Sequence, residues 1–171
     1  MTNSIYSTAH VALPSDTEVR VTRDFKAPRT LVWRTHAEPE LFQRWIGGYP
    51  GWSMPVCEMD VRVGGKYRWM WRADEDGTSF GFYGEYREVD APENMVQADH
   101  YDPGSLGGEM STSPTINRTT FTEKNGVTTL VTHITYASKD ARDAAVSTGM
   151  TDGMEISYRR LDTLVAELQR T

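Results

Sequence analysis

Tyr67, Trp69 and Trp71 take alternate positions in the stretch "KYRWMWRA", with Arg68 and Met70 between them. Alternate residues of an extended chain share a face, so the three rings form one row. The chemistry such a row offers is contact: broad apolar area, π faces, and indole N–H groups that need an acceptor once buried. Towards the C-terminus Met150, Met154 and Tyr158 recur every fourth residue, which sets them on one face of a helix. Thioethers are flexible and polarizable, and they adapt to varied apolar molecules. The two rows either pack together as core or bound a pocket, and spacing leaves both arrangements open. Trp45, Trp52 and Phe82 are the further aromatic candidates for a pocket lining. Trp45 follows Leu41 and Phe42 at helical spacing, Trp52 lies in the Gly/Pro loop "GGYPGW", and Phe82 alternates with Phe80. His100 is the polar candidate, because Val96, Ala98 and His100 share a strand face expected to point inward.

Residues suited to acid–base, nucleophilic or metal chemistry are present without a pattern that joins them. His36, His100 and His133 fall on a helix and two strands, with no H-x-x-H or H-E-x-x-H spacing, and Cys57 has no partner at ligand spacing. No metal site and no cofactor is therefore expected. The serine of "GTSFG" lacks the strand–turn–helix setting of a nucleophile elbow. "GSLGG" and "RVGGK" precede no helix, so neither cradles a phosphate. Glu85, Asp99 and Arg68 could orient a ligand or move a proton, but alternation turns Glu85 and Arg68 away from the inner rows. No catalytic residue is assigned, and whether the chain is an enzyme stays open.

The elements that must position these residues follow from patterning. Residues 1–16 are rich in Ser and Thr, end near Pro14, and read as a loosely attached tail. "TEVRVTRDF" alternates as a strand, and "APRTLVWRTHA" and "EPELFQRW" are two short helices, each opened by a proline suited to a first helical position. "VCEMDVRV" and "KYRWMWRA" read as a hairpin turning at Gly64-Gly65, and further strands follow to "VTTLVTHITY". The segment 103–114 is Gly/Ser-rich, without periodicity, and is expected to be a mobile loop. Ser138 caps a short helix that Gly149 ends, and a long amphipathic helix completes the chain. Hairpin-linked strands form an antiparallel sheet, and helices gathered at the chain ends make the class α+β.

Composition narrows the function. The 171 residues suffice for one domain with a sizeable core. A net charge of −6 without a basic stripe disfavours nucleic acid, and no apolar run is long enough to insert in a membrane. The N-terminus lacks the basic and apolar regions of a secretory signal, and a lone cysteine suits a reducing compartment, so a cytoplasmic location is expected.

Five blocks, "APRTLVWRTHAEPELFQRWIGG", "MDVRVGGKYRW", "YGEYREVDAPENMV", "FTEKNGVTTLVTHITY" and "TGMTDGMEISYRRLDTLV", together resemble the activator of Hsp90 ATPase homologue family, in that family's order. That family lies within the START-related, helix-grip (SRPBCC) superfamily. The resemblance runs from about Thr17 to the C-terminus and implies a single START-related domain over 17–171. It implies a curved antiparallel sheet wrapped around the C-terminal helix, two short helices after the first strand, and a hydrophobic tunnel between sheet and helix. Superfamily members bind lipids, sterols, polyketides or plant hormones, and some are cyclases. Two positions depart from the family: Trp45 is followed by Ile46 where a second Trp is frequent, and Met154 follows Gly153 where Trp is frequent. The separate chaperone-binding domain of the eukaryotic co-chaperone is not among the matching blocks, so Hsp90 activation is not implied.

Three functions are weighed. The first is binding of a small hydrophobic, aromatic or lipid-like molecule in the tunnel, with the loops 47–52 and 103–114 at its mouth. The second is a cyclase- or hydrolase-type enzyme using the same tunnel, with His100 or a tunnel carboxylate as general base. The third is a protein-interaction module with a filled core, whose sheet would contact a chaperone or a second copy in a homodimer.

Overall fold

The computed structural model describes residues 8–107 and 113–170. Val19, Val21, Arg23 and Phe25 alternate inward along β2 (Glu18–Phe25), and all four are buried. An arginine in that row must find partners, and its guanidinium meets the C-terminal helix α4 (Met150–Arg170). Arg23 donates from Nη1 and Nη2 to the two carboxylate oxygens of Asp162 at 2.8 and 2.7 Å, and from Nε to Glu155 at 2.8 Å. Glu155 and Asp162 stand two helical turns apart, so one cation reads one face of α4. The same Glu155 carboxylate accepts from the backbone N–H of Ala9 at 3.0 Å.

Ahead of β2, β1 (His10–Ala12) pairs with it antiparallel. β1 lies within the stretch 1–16 expected to be a loose tail, and its backbone is hydrogen-bonded to the edge of the sheet; residues 1–7 lie outside the described part. After β2 come α1 (Arg29–Ala37) and α2 (Pro39–Ile46). Pro39 opens α2 as expected, whereas Pro28 is the N-cap of α1, one residue outside the helix. Six more strands follow: β3 (Trp52–Met59), β4 (Lys66–Ala73), β5 (Ser79–Asp90), β6 (Asn94–Asp102), β7 (Thr115–Lys124) and β8 (Val127–Thr135). The sheet is curved and antiparallel in the order β1-β2-β8-β7-β6-β5-β4-β3. At the β7–β8 hairpin Asn125 and Gly126 both have positive φ, as a two-residue turn between twisted strands requires. Ser138 accepts from the N–H of Ala141 to cap α3 (Lys139–Ser147), and Gly149 at φ 82° separates it from α4.

Two local expectations are corrected. Trp52 begins β3 rather than sitting in the preceding loop, and it pairs with Ala73. The β3–β4 connection spans 60–65, because Met59 is already opposite Tyr67. Gly64 and Gly65 use their backbone to pair with Tyr86 of β5, so they close the loop onto a third strand. A Cβ on Gly65 would lie 1.9 Å from the Asp60 carbonyl oxygen, which excludes any side chain there. In the segment expected to be a mobile loop, Gly104–Leu106 forms a 3₁₀ turn tied to β5 by the Ser79 N–H donating to Ser105 Oγ, while 108–112 lie outside the described residues. No helix among the described residues is long and apolar enough to cross a membrane.

Leu161, Leu164 and Val165 of α4 are buried with Val19, Phe25, Phe121 and Leu130 in one core cluster. Removing the clamp beside it by Arg23→Ala is expected to lower the unfolding free energy by about 3–5 kcal/mol, since it strands Asp162 and Glu155. Urea denaturation measures this, and the triple change Arg23→Met, Asp162→Leu and Glu155→Leu should recover most of the loss.

Candidate functional site

At the other end of α4 the side chains stand apart. Tyr67, Trp69 and Trp71 point to the inner face of β4, and the register carries that face across the sheet: Trp69 opposes Phe82 and Trp71 opposes Phe80. Phe42 and Trp45 approach from α2, with Trp69 and Phe42 rings 4.7 Å apart. Met150, Gly153, Met154, Ser157 and Tyr158 face them from α4 across a cavity of about 510 Å³. Indole N–H groups buried in such a wall need acceptors. Trp45 donates to the Thr35 carbonyl at 2.8 Å and Trp71 to the Ile46 carbonyl at 3.2 Å, while Nε1 of Trp69 is buried without a partner.

The floor differs from the walls. Gln97 of β6, Asn117 and Thr119 of β7 and Thr132 of β8 line the same cavity, on adjacent strands in register: Gln97 opposes Asn117 and Thr119 opposes Thr132. Oδ1 of Asn117 is buried without a hydrogen-bond partner, and Thr132 Oγ1 lies 3.3 Å from the Tyr158 hydroxyl. Tyr49, from the loop after α2, donates to the Gly153 carbonyl at 2.9 Å and lies 2.8 Å from Ser157 Oγ, which ties that loop to α4. Arg160 packs on the ring of Tyr49, 4.3 Å from its centroid. His36 is the imidazole in the wall. Burial pushes its pKa down to about 4, against a 2.9 Å contact between Nδ1 and the Val32 carbonyl, so the ring is neutral near pH 7.

Of the residues expected to line a pocket, Trp45, Trp52, Trp69, Trp71, Phe82, Met150, Met154 and Tyr158 do border this cavity. Tyr67 does not. It is buried behind Trp69, with ring centroids 4.4 Å apart, and its hydroxyl donates to Asp99 at 2.5 Å. Gly84 lies between the two strands, and a Cβ there would meet the Tyr67 hydroxyl at 2.7 Å, so the bond to Asp99 passes over a glycine. His100 also lies elsewhere: it stacks on Tyr83 at 5.1 Å, on the face opposite to Phe82. The register explains the reversal. Phe82 opposes Tyr101, so Tyr101, Asp99 and Gln97 share the inner face, and Val96, Ala98 and His100 the outer. Apolar residues on the outer face and polar ones on the inner inverted the pattern that suggested His100. The floor residues could have been found from alternation, since Asn117 and Thr119 share a face with Phe121, and Thr132 with Leu130 and Ile134. Among the described residues no group of three His, Cys, Asp or Glu is placed to hold a metal ion.

A curved antiparallel sheet closed over a long C-terminal helix, with a cavity between them, defines a helix-grip protein of the SRPBCC superfamily. The sequence pattern of the Activator of Hsp90 ATPase homolog 1-like protein family matches residues 26–166, and the chain belongs to that family. Among solved structures it is similar to a protein from Rhodobacter sphaeroides, 25% identical with a TM-score of 0.81, the match covering 94% of this chain and 99% of that one. A Mycobacterium smegmatis protein is 26% identical with a TM-score of 0.81, over 92% of this chain and 96% of that one. An AHSA1-like protein from Aeromonas hydrophila shares the fold at 16% identity and a TM-score of 0.62, over 84% of this chain and 92% of that one. No curated protein matches the chain.

Asp99 yields a prediction that needs no ligand. Burial pushes its carboxyl up to about 7, partly offset by the Tyr67 hydrogen bond. Between its ordinary value near 3.8 and about 7, the folded state holds a proton that the unfolded chain has released. Stability is therefore expected to fall as pH rises through that window, by on the order of 1–3 kcal/mol. Asp99→Asn, neutral throughout, should flatten the decline in urea-denaturation free energies measured from about pH 5 to about pH 8.

Proposed function

We propose that the chain binds a small hydrophobic molecule in the cavity between the sheet and α4. The observation that carries this reading is the space itself: about 510 Å³ left open among aromatic and thioether side chains. Open apolar space forfeits packing, at roughly 24 cal/mol per Å³ where core side chains are deleted. A volume of this size suits a drug-sized ligand. The fold is one on which hydrophobic ligands are commonly held, in agreement with the family.

Entry is set beside the loop after α2. Trp52 and Phe80 border both the cavity and an open depression formed with Pro50, Ala73, Thr78 and Leu106. A cyclase- or hydrolase-type function has less support. The imidazole in the wall is that of His36, a weak base at about 4, and Asp99 is covered by Tyr67.

Native mass spectrometry of the purified protein is expected to show a co-purified small molecule, or tryptophan fluorescence to change on titration with an apolar aromatic probe. Trp69→Ala should weaken probe binding at least about tenfold while lowering the unfolding free energy by less than about 3 kcal/mol, because the ring is only half-buried. Unchanged binding in that variant, or no response to any apolar probe, would sink the reading.

A further inference from the structure

We propose that this cavity selects uncharged molecules: a flat apolar body held by the aromatic wall, ending in a neutral hydrogen-bonding group that meets the floor around Asn117. The inference rests on the binding reading above and names the class of ligand. Its basis is the distribution of charge. The chain carries 18 Lys and Arg and 24 Asp and Glu, yet among the described residues none of them lines the cavity. The charges that do enter the space between sheet and helix are held elsewhere. Arg23 is saturated by Asp162 and Glu155, Asp99 is capped by Tyr67, and Arg160 packs on the ring of Tyr49 outside the lining, its Nη1 buried without a hydrogen-bond partner. A carboxylate or phosphate entering this site would give up its hydration with no cation to receive it, a cost that excludes most of its ionised form.

The polar groups that remain are amides and hydroxyls. Gln97, Asn117, Thr119 and Thr132 occupy inward sheet positions where a filled core would carry aliphatic residues. The Asn117 carboxamide has an acceptor oxygen without a partner, and Trp69 has an N–H without one. Buried polar groups left unpaired cost stability, and both are neutral. A ligand group with a donor, such as a primary amide or an alcohol, can pair with the Asn117 oxygen. An anion offers acceptors alone, and would leave the Asn117 oxygen unpaired.

The test compares probes of one shape that differ in charge. Binding of pyrene, 1-pyrenemethanol, 1-pyrenecarboxamide and 1-pyrenecarboxylate is followed by pyrene fluorescence anisotropy near pH 7.5, where the carboxylate is ionised. The carboxamide and the alcohol are expected to bind, with the nearly isosteric carboxylate at least about tenfold weaker than the carboxamide. Asn117→Leu should lower carboxamide affinity relative to that of pyrene about fivefold or more. Thr119→Val provides the same comparison should the leucine variant not fold, as thermal unfolding will show. Carboxylate binding equal to or tighter than carboxamide binding overturns the inference and leaves the binding reading intact. Carboxamide affinity that both variants leave unchanged overturns the role of the floor. Failure of all four probes overturns the inference together with the binding reading.

Discussion

The buried clamp between Arg23 and the two carboxylates of α4 is the constraint on which the rest of the structure depends. A guanidinium inside a protein is tolerated only with its donors satisfied, and Asp162 and Glu155 supply that with two contacts each, the longest from Nη2 to Glu155 at 3.4 Å. Because β2 is nearly at one edge of the sheet, the clamp fixes which end of α4 lies against that edge. Burial opposes the ionisation of Glu155, but its hydrogen bond from Arg23 and the Ala9 N–H hold the carboxyl below its ordinary range. The N-terminal strand is thereby fastened to the same point.

With that end fixed, the helix lies over a curved sheet, and the distance between the two layers has to be made up by side chains. On the Leu161–Val165 side it is bridged by aliphatic residues buried in one cluster with Val19, Phe25 and Leu130. On the Met150–Tyr158 side it is bridged by large rings from β4, β5 and α2, some stacked and some edge to face, that leave room in the middle. Trp45 against Tyr158, and Phe42 against Trp69, brace the wall without closing it. Backbone carbonyls satisfy two of the indoles and so hold their orientation. The result is a cavity with aromatic walls, a floor of amides and hydroxyls, and no Lys, Arg, Asp or Glu among its described lining residues.

Much of this was legible in the sequence. Prolines and Ser138 marked the starts of helices, "KNG" marked a turn, and the alternation of "KYRWMWRA" showed that its rings share a face. What misled was β6, where Val96 and Ala98 are apolar on the outer face and Gln97 and Asp99 are polar on the inner one. A strand read alone assigns its apolar side to the core; only its pairing with Phe82 and Gly84 in β5 reverses that. The same holds for Gly64 and Gly65, which look like a two-residue turn until Tyr86 is seen to pair with them. Tyr67 was placed on the correct face and yet does not border the cavity, because Asp99 holds its hydroxyl beneath Trp69.

By itself the sequence determined the element order from β2 onward, the α+β class, the inward row of aromatics and the stripe of α4, because periodicity and turn chemistry are local. It determined the resemblance to the family as well, since the blocks fall in order along the chain. The tertiary structure alone decided which face of β6 looks inward, which polar groups form the floor, and how much space the rings leave. Register between strands sets the first two. The third depends on the separation of helix and sheet, which the Arg23 clamp and the core side chains set together, and no run of residues encodes a volume.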